Sequence, residues 1–276
     1  MTTLKKLNSK YPNKTVFITG AASGLGASFA RLLAENGWSL HLSDINSSGL
    51  EALKVKLKEA REVHIYELDV SDKLSYQRTV EAIQKNTSVV DLVINNAGIG
   101  DGEFFQDYKP DLWERMIQIN LIGVYYGCHH FIPWMINQSS GTIINIGSAA
   151  GFMNAPGMSA YNVSKAGVYA LSDTLYHELK SKNIHVSVVT PTFFKTNIMS
   201  QAQGSQAFVH FAEKQMHHST TDAEEMAQTV LGQAANGKFH IIHPKEARRA
   251  YFFKKWFPSL VSRQFEKMMA KFLRKR

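Results

Sequence analysis

The stretch from Thr15 to Asn36 leaves this chain few folds to choose from. Thr15-Val-Phe-Ile-Thr19 is a short apolar, β-branched run that stops at glycine, as a strand buried on both faces of a parallel sheet does. Ala27-Ser-Phe-Ala-Arg-Leu-Leu-Ala-Glu-Asn36 then has helical spacing and is closed by Gly37. Between them lies Gly20-Ala-Ala-Ser23-Gly24-Leu25-Gly26. Glycines at these positions let the backbone turn tightly and approach a pyrophosphate, whose negative charge the following helix N-terminus favours.

The same alternation continues along the chain. Residues 39 to 43 read as a strand ending at Asp44, with a helix from near Ser47. Residues 62 to 68 form a strand ending at Asp69 and Val70, and residues 72 to 86 a helix. Residues 89 to 94 lead into Asn95-Asn96-Ala97-Gly98, followed by a long helix over residues 110 to 136. A strand closing at Ile146 precedes Ser148, a helix runs to about Lys180, and residues 185 to 190 form a strand ended by Pro191. Repeated βαβ units predict an α/β fold with a doubly wound parallel sheet that binds ligands at the carboxyl ends of its strands. Gly20, Asp44, Asp69, Asn95 and Ser148 all fall at such ends. Asp44 stands a little over twenty residues beyond Gly20, where an acid accepts hydrogen bonds from an adenosine ribose. Its carboxylate would repel a 2′-phosphate, and Ala22, Ser23, Ile45 and Asn46 supply no cation to hold one. NAD(H) is therefore favoured, with NADP(H) as the alternative. Asp44 also fits a plain turn before the next helix, and the two roles are compatible.

Tyr161 and Lys165 lie four residues apart in a helical segment and so share one face. A phenol is a weak base at neutral pH, and an adjacent ammonium is expected to lower its pKa. Ser148, thirteen residues before Tyr161, supplies a hydroxyl that could donate to a carbonyl oxygen while the phenol exchanges its proton. Tyr-x-x-x-Lys alone also describes a surface helix. Asn120 is out of place in a helix interior, where asparagine weakens the helix unless it has a local partner. His129 and His130 are adjacent and face different ways, with no third ligand at metal spacing, so they read as packing or surface side chains.

Together these segments resemble the short-chain dehydrogenase/reductase family in its single-domain, Rossmann-type form. Thr19-Gly-Ala-Ala-Ser-Gly-Leu-Gly26 resembles its T-G-x-x-x-G-x-G loop and Asn95-Asn-Ala-Gly98 its N-N-A-G element. Asn120, Ser148, Tyr161 and Lys165 match its catalytic tetrad in order and spacing, and the resemblance covers about residues 13 to 243. It implies that Gly20, Ser23, Gly24, Leu25, Gly26, Asn96, Ala97 and Gly98 line the cofactor, that Asp69 and Val70 meet its adenine, and that Lys165 also holds the nicotinamide ribose. It implies further that Asn120 keeps a water in a proton relay, and that Pro191 and Thr196 flank the carboxamide. Thr192 stands where the family has glycine. The family is commonly a homodimer or homotetramer through the helices near residues 110 to 136 and 160 to 180. Its substrate lid corresponds here to about residues 192 to 220, rich in Phe193, Phe194, Ile198, Met199, Phe208, Phe211 and Met216. With Phe104, Phe105, Phe152, Met153, Pro156 and Met158 these suggest a lipophilic small-molecule substrate, although the same residues would suit a core or a subunit interface. The expected activity is interconversion of an alcohol and its aldehyde or ketone. Rivals are an NADPH-linked carbonyl or acyl reductase and a catalytically idle NAD-binding scaffold.

Composition matters chiefly at the end of the chain. The formal net charge is +8, yet residues 245 to 276 hold eleven bases and two acids, a surplus of nine. The basicity therefore belongs to residues 244 to 276, a tail beyond the oxidoreductase domain of residues 1 to 243. Leu260, Val261, Phe265, Met268, Met269 and Phe272 share one helical face, with Arg263, Lys267, Lys271 and Arg274 largely opposite. Such a helix over residues 258 to 276 suits an anionic membrane surface, or a dock on the enzyme's own body. No base-reading motif supports nucleic acid. A single cysteine, Cys128, excludes an intramolecular disulfide and a multi-cysteine metal site. The start of the chain lacks the apolar run of a signal peptide, so the expected location is cytoplasmic, peripheral to a membrane if the tail binds lipid.

Overall fold

A computed structural model describes residues 2 to 196, 198 to 200 and 202 to 273, with side chains described from residue 4 to residue 270. The chain runs α1 (Thr2–Lys10), β1 (Thr15–Thr19), α2 (Gly24–Ala34), β2 (Ser39–Asp44), α3 (Ser47–Lys54), β3 (Glu62–Glu67), α4 (Lys73–Asn86) and β4 (Leu92–Asn95). It continues through α5 (Pro110–Ile117), α6 (Gly123–Asn137), β5 (Gly141–Ile146), the short α7 (Ala150–Met153), α8 (Ser159–Leu179) and β6 (Ile184–Val189). It ends with α9 (Gln206–His218), α10 (Ala223–Ala235), β7 (His240–Ile241), α11 (Lys245–Trp256) and α12 (Pro258–Leu273).

Seven strands form one parallel sheet in the order β3-β2-β1-β4-β5-β6-β7. The order reverses between β1 and β4, which opens a crevice at their carboxyl ends. Alternation along β1 shows how the faces are filled. Val16 and Ile18 pack with residues of α1, α2, α3 and α10, whereas Phe17 faces the other way, stacking on Phe131 of α6 at 4.8 Å. The second face is closed by α4, α6 and α8 through Tyr76, Val124 and Val168. Strands buried on both sides explain the unbroken apolar runs.

Two elements differ from the sequence expectation, and one was not anticipated. The unanticipated one is α1, which buries Leu4 and Leu7, with Tyr11 just beyond it, beside α2 and α10. The long helix over residues 110 to 136 is interrupted by a π turn at Gln118–Ile122, which holds Asn120. The tail is two helices, of which α11 docks on α7 through Phe152 and Tyr251, with ring centroids 5.2 Å apart, and through the Lys254 ammonium donating to the Met153 carbonyl oxygen at 3.0 Å. On α12 the expected face splits: Val261 is buried and Phe265, Met268 and Met269 are partly buried, while Leu260 is exposed. Of the remaining tail residues, the side chains of Lys271 and Phe272 and all of Arg274, Lys275 and Arg276 lie outside what is described. Among the described residues no helix is long and apolar enough to cross a membrane.

Candidate active site

The glycine turn after β1 is built around close backbone approach. Gly20 has φ +65° and Gly24 φ +52°, conformations that suit glycine. A Cβ on Gly26 would stand 2.1 Å from the Gly20 carbonyl oxygen, so α2 packs against the turn only because that position is bare. The turn is tied to the loop after β4. The Thr19 hydroxyl accepts from the Asn96 and Ala97 N–H groups, each at 3.0 Å, and Asn96 Nδ2 donates to the carbonyl oxygens of Thr19 (2.9 Å) and Gly20 (3.0 Å). Thr19 was not among the expected site residues, although a polar residue ending an apolar strand was its signal.

Asp44 closes β2 with both carboxylate oxygens engaged: Oδ2 accepts from the Ala22 N–H and Oδ1 from the Asn46 N–H, each at 2.9 Å. The turn role and a place on the cavity wall therefore coexist. Asp69 Oδ1 accepts from the Ser71 N–H at 2.9 Å and from its hydroxyl at 2.6 Å, beside Val70.

The four polar residues expected to act together do converge. In the π turn the buried Asn120 makes a reciprocal pair with Ile99: Nδ2 donates to the Ile99 carbonyl oxygen and Oδ1 accepts from the Ile99 N–H, each at 2.9 Å. The extra residue of a π turn swings one side chain off the helix face, which suits a polar group aimed into a site. Ser148 follows β5, its hydroxyl accepting from the Ala150 N–H at 3.1 Å and hydrogen bonding to Tyr161. Lys165 is buried and donates to the Ile146 carbonyl oxygen at 3.0 Å, its ammonium 5.8 Å from the centroid of the Tyr161 ring. Gly98 leaves room beside this group, since a Cβ there would stand 3.1 Å from Asn120 Oδ1 and 3.5 Å from Lys165 Nζ.

The electrostatics correct one expectation. Lys165 was expected to pull the Tyr161 phenol below its ordinary pKa. Burial instead raises the phenol, outweighing the lowering by the Ser148 hydrogen bond. The same desolvation brings the Lys165 ammonium down to about 8.

Ser148, Tyr161, Lys165, Gly98, Asp44 and Asp69 open onto one cavity of about 560 Å³. At one end it is lined by Gly20, Ser23, Gly24, Leu25, Asp44, Asp69 and Val70, in the middle by Asn96, Ala97, Gly98, Ser148, Tyr161, Lys165, Pro191 and Thr196. Its far end is apolar and rich in thioethers: Met153, Met158, Met199, Met216, Met268 and Met269, with Phe208 and Phe265. Asn120 lies just behind this wall through Ile99. Residues 198 to 200, residues 202 to 205 and α9 form the roof, fixed where Asp101 Oδ1 accepts from the Gly204 N–H at 2.9 Å and the Ser205 N–H donates to the Gly102 carbonyl oxygen at 2.9 Å. Asp101, Arg115 and the α12 residues Phe265, Met268 and Met269 were not foreseen as parts of the site. Only the amphipathic pattern of α12 hinted at the last three. Asn197, next to Thr196, lies outside the described residues.

The glycine cradle, the open α2 N-terminus and the acid at the end of β2 fit a dinucleotide, whose pyrophosphate would lie on Gly20, Ser23, Gly24 and Leu25. A family model described as short chain dehydrogenase matches residues 14 to 207. The 3-oxoacyl-acyl-carrier-protein reductase of Thermotoga maritima is 35% identical over 187 residues, covering 66% of this chain and 75% of the relative. The cyclopentanol dehydrogenase of Comamonas sp. is 29% identical over 242 residues, covering 87% of this chain and 89% of the relative. A solved short-chain dehydrogenase/reductase from Burkholderia phymatum in complex with NAD superposes with a TM-score of 0.81 at 29% identity, over 87% of this chain and 92% of that one. From motif, sheet order and similarity together, the chain belongs to the short-chain dehydrogenase/reductase family of NAD(P)-dependent oxidoreductases.

Proposed function

We propose that the chain is an NAD(H)-dependent oxidoreductase that interconverts a lipophilic alcohol and its aldehyde or ketone. The observation that carries this reading is the single cavity in which Asp44 stands at one end, Tyr161, Ser148 and Lys165 in the middle, and a thioether and aromatic chamber at the other. When bound, the nicotinamide supplies or accepts the hydride. In the direction of reduction, the substrate carbonyl oxygen is placed between the Ser148 and Tyr161 hydroxyls, and the neutral phenol donates the proton that completes the alcohol. In oxidation the phenol oxygen takes that proton back. Lys165 lies against the Tyr161 ring and favours the phenolate formed when the proton leaves, and its ammonium would also meet the nicotinamide ribose. Asn120, held by Ile99, fixes the backbone beside Gly98 and is assigned the water of the proton relay.

Preference for NAD(H) rests on Asp44, whose carboxylate occupies the place a 2′-phosphate would need. The cations lining the cavity, Arg115 on α5 and Lys165 on α8, belong to other parts of the wall. The chamber supports a lipophilic substrate because flexible methionines fill irregular apolar space without demanding one shape. A second reading is an NADPH-linked reductase of carbonyl or acyl substrates, whose acyl part is supported by the similarity to the 3-oxoacyl-acyl-carrier-protein reductase of Thermotoga maritima. Steady-state kinetics over primary and cyclic alcohols from butanol to hexadecanol and sterols, the matching carbonyls, and a 3-oxoacyl thioester, each with both cofactors, separates the two. Higher kcat/KM with NADPH, or selective use of the thioester, refutes the first reading. Absence of turnover over the whole panel would leave an NAD-binding scaffold.

A further inference from the structure

We infer that the outer side of the elbow between α11 and α12 is a docking face for a bilayer carrying anionic headgroups. The stripe that the sequence offered to lipid is already in use, because Phe265, Met268 and Met269 line the cavity. What remains outside is a set of residues that shares only Leu260 with that stripe. Phe252, Phe253 and Phe257 touch one another, with ring centroids 5.8, 6.1 and 6.0 Å apart, and are 52%, 45% and 49% exposed. Trp256 and Leu260, at 62% and 56% exposed, extend the patch. Single exposed apolar residues are ordinary, but contiguous large ones mark a surface that meets something apolar.

Charge selects the occupant. Lys255 lies over the Trp256 ring at 5.3 Å, and Arg249 and Arg263 are exposed on the same two helices. The segment from residue 245 onward carries a surplus of nine positive charges. A second copy apposed through this elbow would bring like charge against like, whereas an anionic surface offers both the opposite charge and an apolar layer beneath it. Aromatic side chains with flanking bases are the composition of an element lying in a membrane interface. The same two helices present Ala250, Phe265, Met268 and Met269 to the cavity, so a docked elbow would set the outer wall of the substrate chamber against the lipid. The inference rests on no part of the proposed reaction.

The test is sedimentation of the full chain with phosphatidylcholine vesicles, with and without phosphatidylglycerol, beside a Phe252→Ser, Phe253→Ser, Phe257→Ser triple variant. Near-ultraviolet circular dichroism and analytical ultracentrifugation of each protein report its fold and mass. Replacing three half-exposed phenylalanines is expected to lower partitioning roughly a hundredfold. A second variant, Lys255→Glu with Arg263→Glu, should lose about tenfold or more per reversed base on anionic vesicles only, and salt should mimic it. Trp256 emission should shift to the blue with vesicles in the wild type, a change missing from Trp256→Phe. Equal partitioning of wild type and both variants overturns the inference. So does a wild type that binds no vesicles, and a triple variant whose mass falls would then assign the patch to a protein contact.

Discussion

Replacing Lys165 by methionine in the cofactor-free protein removes an ammonium that burial holds at about 8 against an ordinary 10.5. Between those values the unfolded chain still binds the proton while the folded chain has lost it, so wild-type stability rises with pH across that window. With these two values the rise between pH 7 and pH 9.5 amounts to about 2 kcal/mol, and the variant lacks it. The lost hydrogen bond to the Ile146 carbonyl oxygen costs about 1 to 3 kcal/mol, but at both pH values alike, so it moves the variant's stability and not its slope. Buried tyrosines such as Tyr11 and Tyr76 keep their protons when folded and pull stability down at high pH, yet both proteins carry them and they cancel in the difference. Urea unfolding followed by circular dichroism at pH 7 and pH 9.5, with slopes checked for constancy, reads the quantity directly. The stability of Lys165→Met relative to wild type should fall by about 2 kcal/mol between the two pH values. A difference that stays constant within about 0.5 kcal/mol would show that solvent reaches Lys165 and refute the desolvation argument.

Other outcomes follow from single residues. Tyr161→Phe should lower kcat by roughly a hundredfold to ten-thousandfold while the fluorescence-measured affinity for NADH stays within about twofold, because only the proton donor is lost. Since burial raises Tyr161, kcat/KM for carbonyl reduction should be flat through neutral pH, and that for alcohol oxidation should climb toward alkaline pH as the phenol ionises. Ile45→Arg should move the NADP/NAD ratio of kcat/KM upward, more so when combined with Asp44→Ala, by supplying a phosphate partner and removing repulsion. Met268→Ala with Met269→Ala should raise KM for long-chain alcohols about tenfold or more and leave butanol unchanged, since the lost surface lies at the far end of the chamber.

Much of the site was legible because it is carried by backbone requirements. Gly20, Gly24 and Gly26 announce a turn that side chains would fill, and Asp44 and Ser148 announce strand ends. The four-residue spacing of Tyr161 and Lys165 places them on one face whatever surrounds them. The direction of their pKa shifts was not legible, because desolvation depends on which helices and strands close over them. Asn120 was flagged by its polarity, but the π turn could not be, since helical periodicity holds on both sides and a single added residue leaves little trace in it. The helix before β1 went unanticipated for a different reason. Leu4, Leu7 and Tyr11 have helical spacing, yet the five polar residues between them, Lys5, Lys6, Asn8, Ser9 and Lys10, hid a face three residues long.

The tail shows where pattern reading stops in principle. An apolar stripe on a basic helix states that one side must leave water, and it says nothing about what covers that side. In this fold the enzyme's own cavity covers it: Phe265, Met268 and Met269 close the chamber, and Lys254 spends its charge on the Met153 carbonyl oxygen rather than on a lipid headgroup. The outer aromatic cluster is separate from that stripe, because Phe252, Phe253 and Phe257 belong to the last turn and C-cap of α11, with Phe253 and Phe257 one helical turn apart, and α12 begins only at Pro258. A cavity walled in part by Ala250, Phe265, Met268 and Met269 has its volume set in part by α11 and α12. Loosening α12 would therefore change substrate range before it changed the fold, whose two cores are filled by residues up to Ile241.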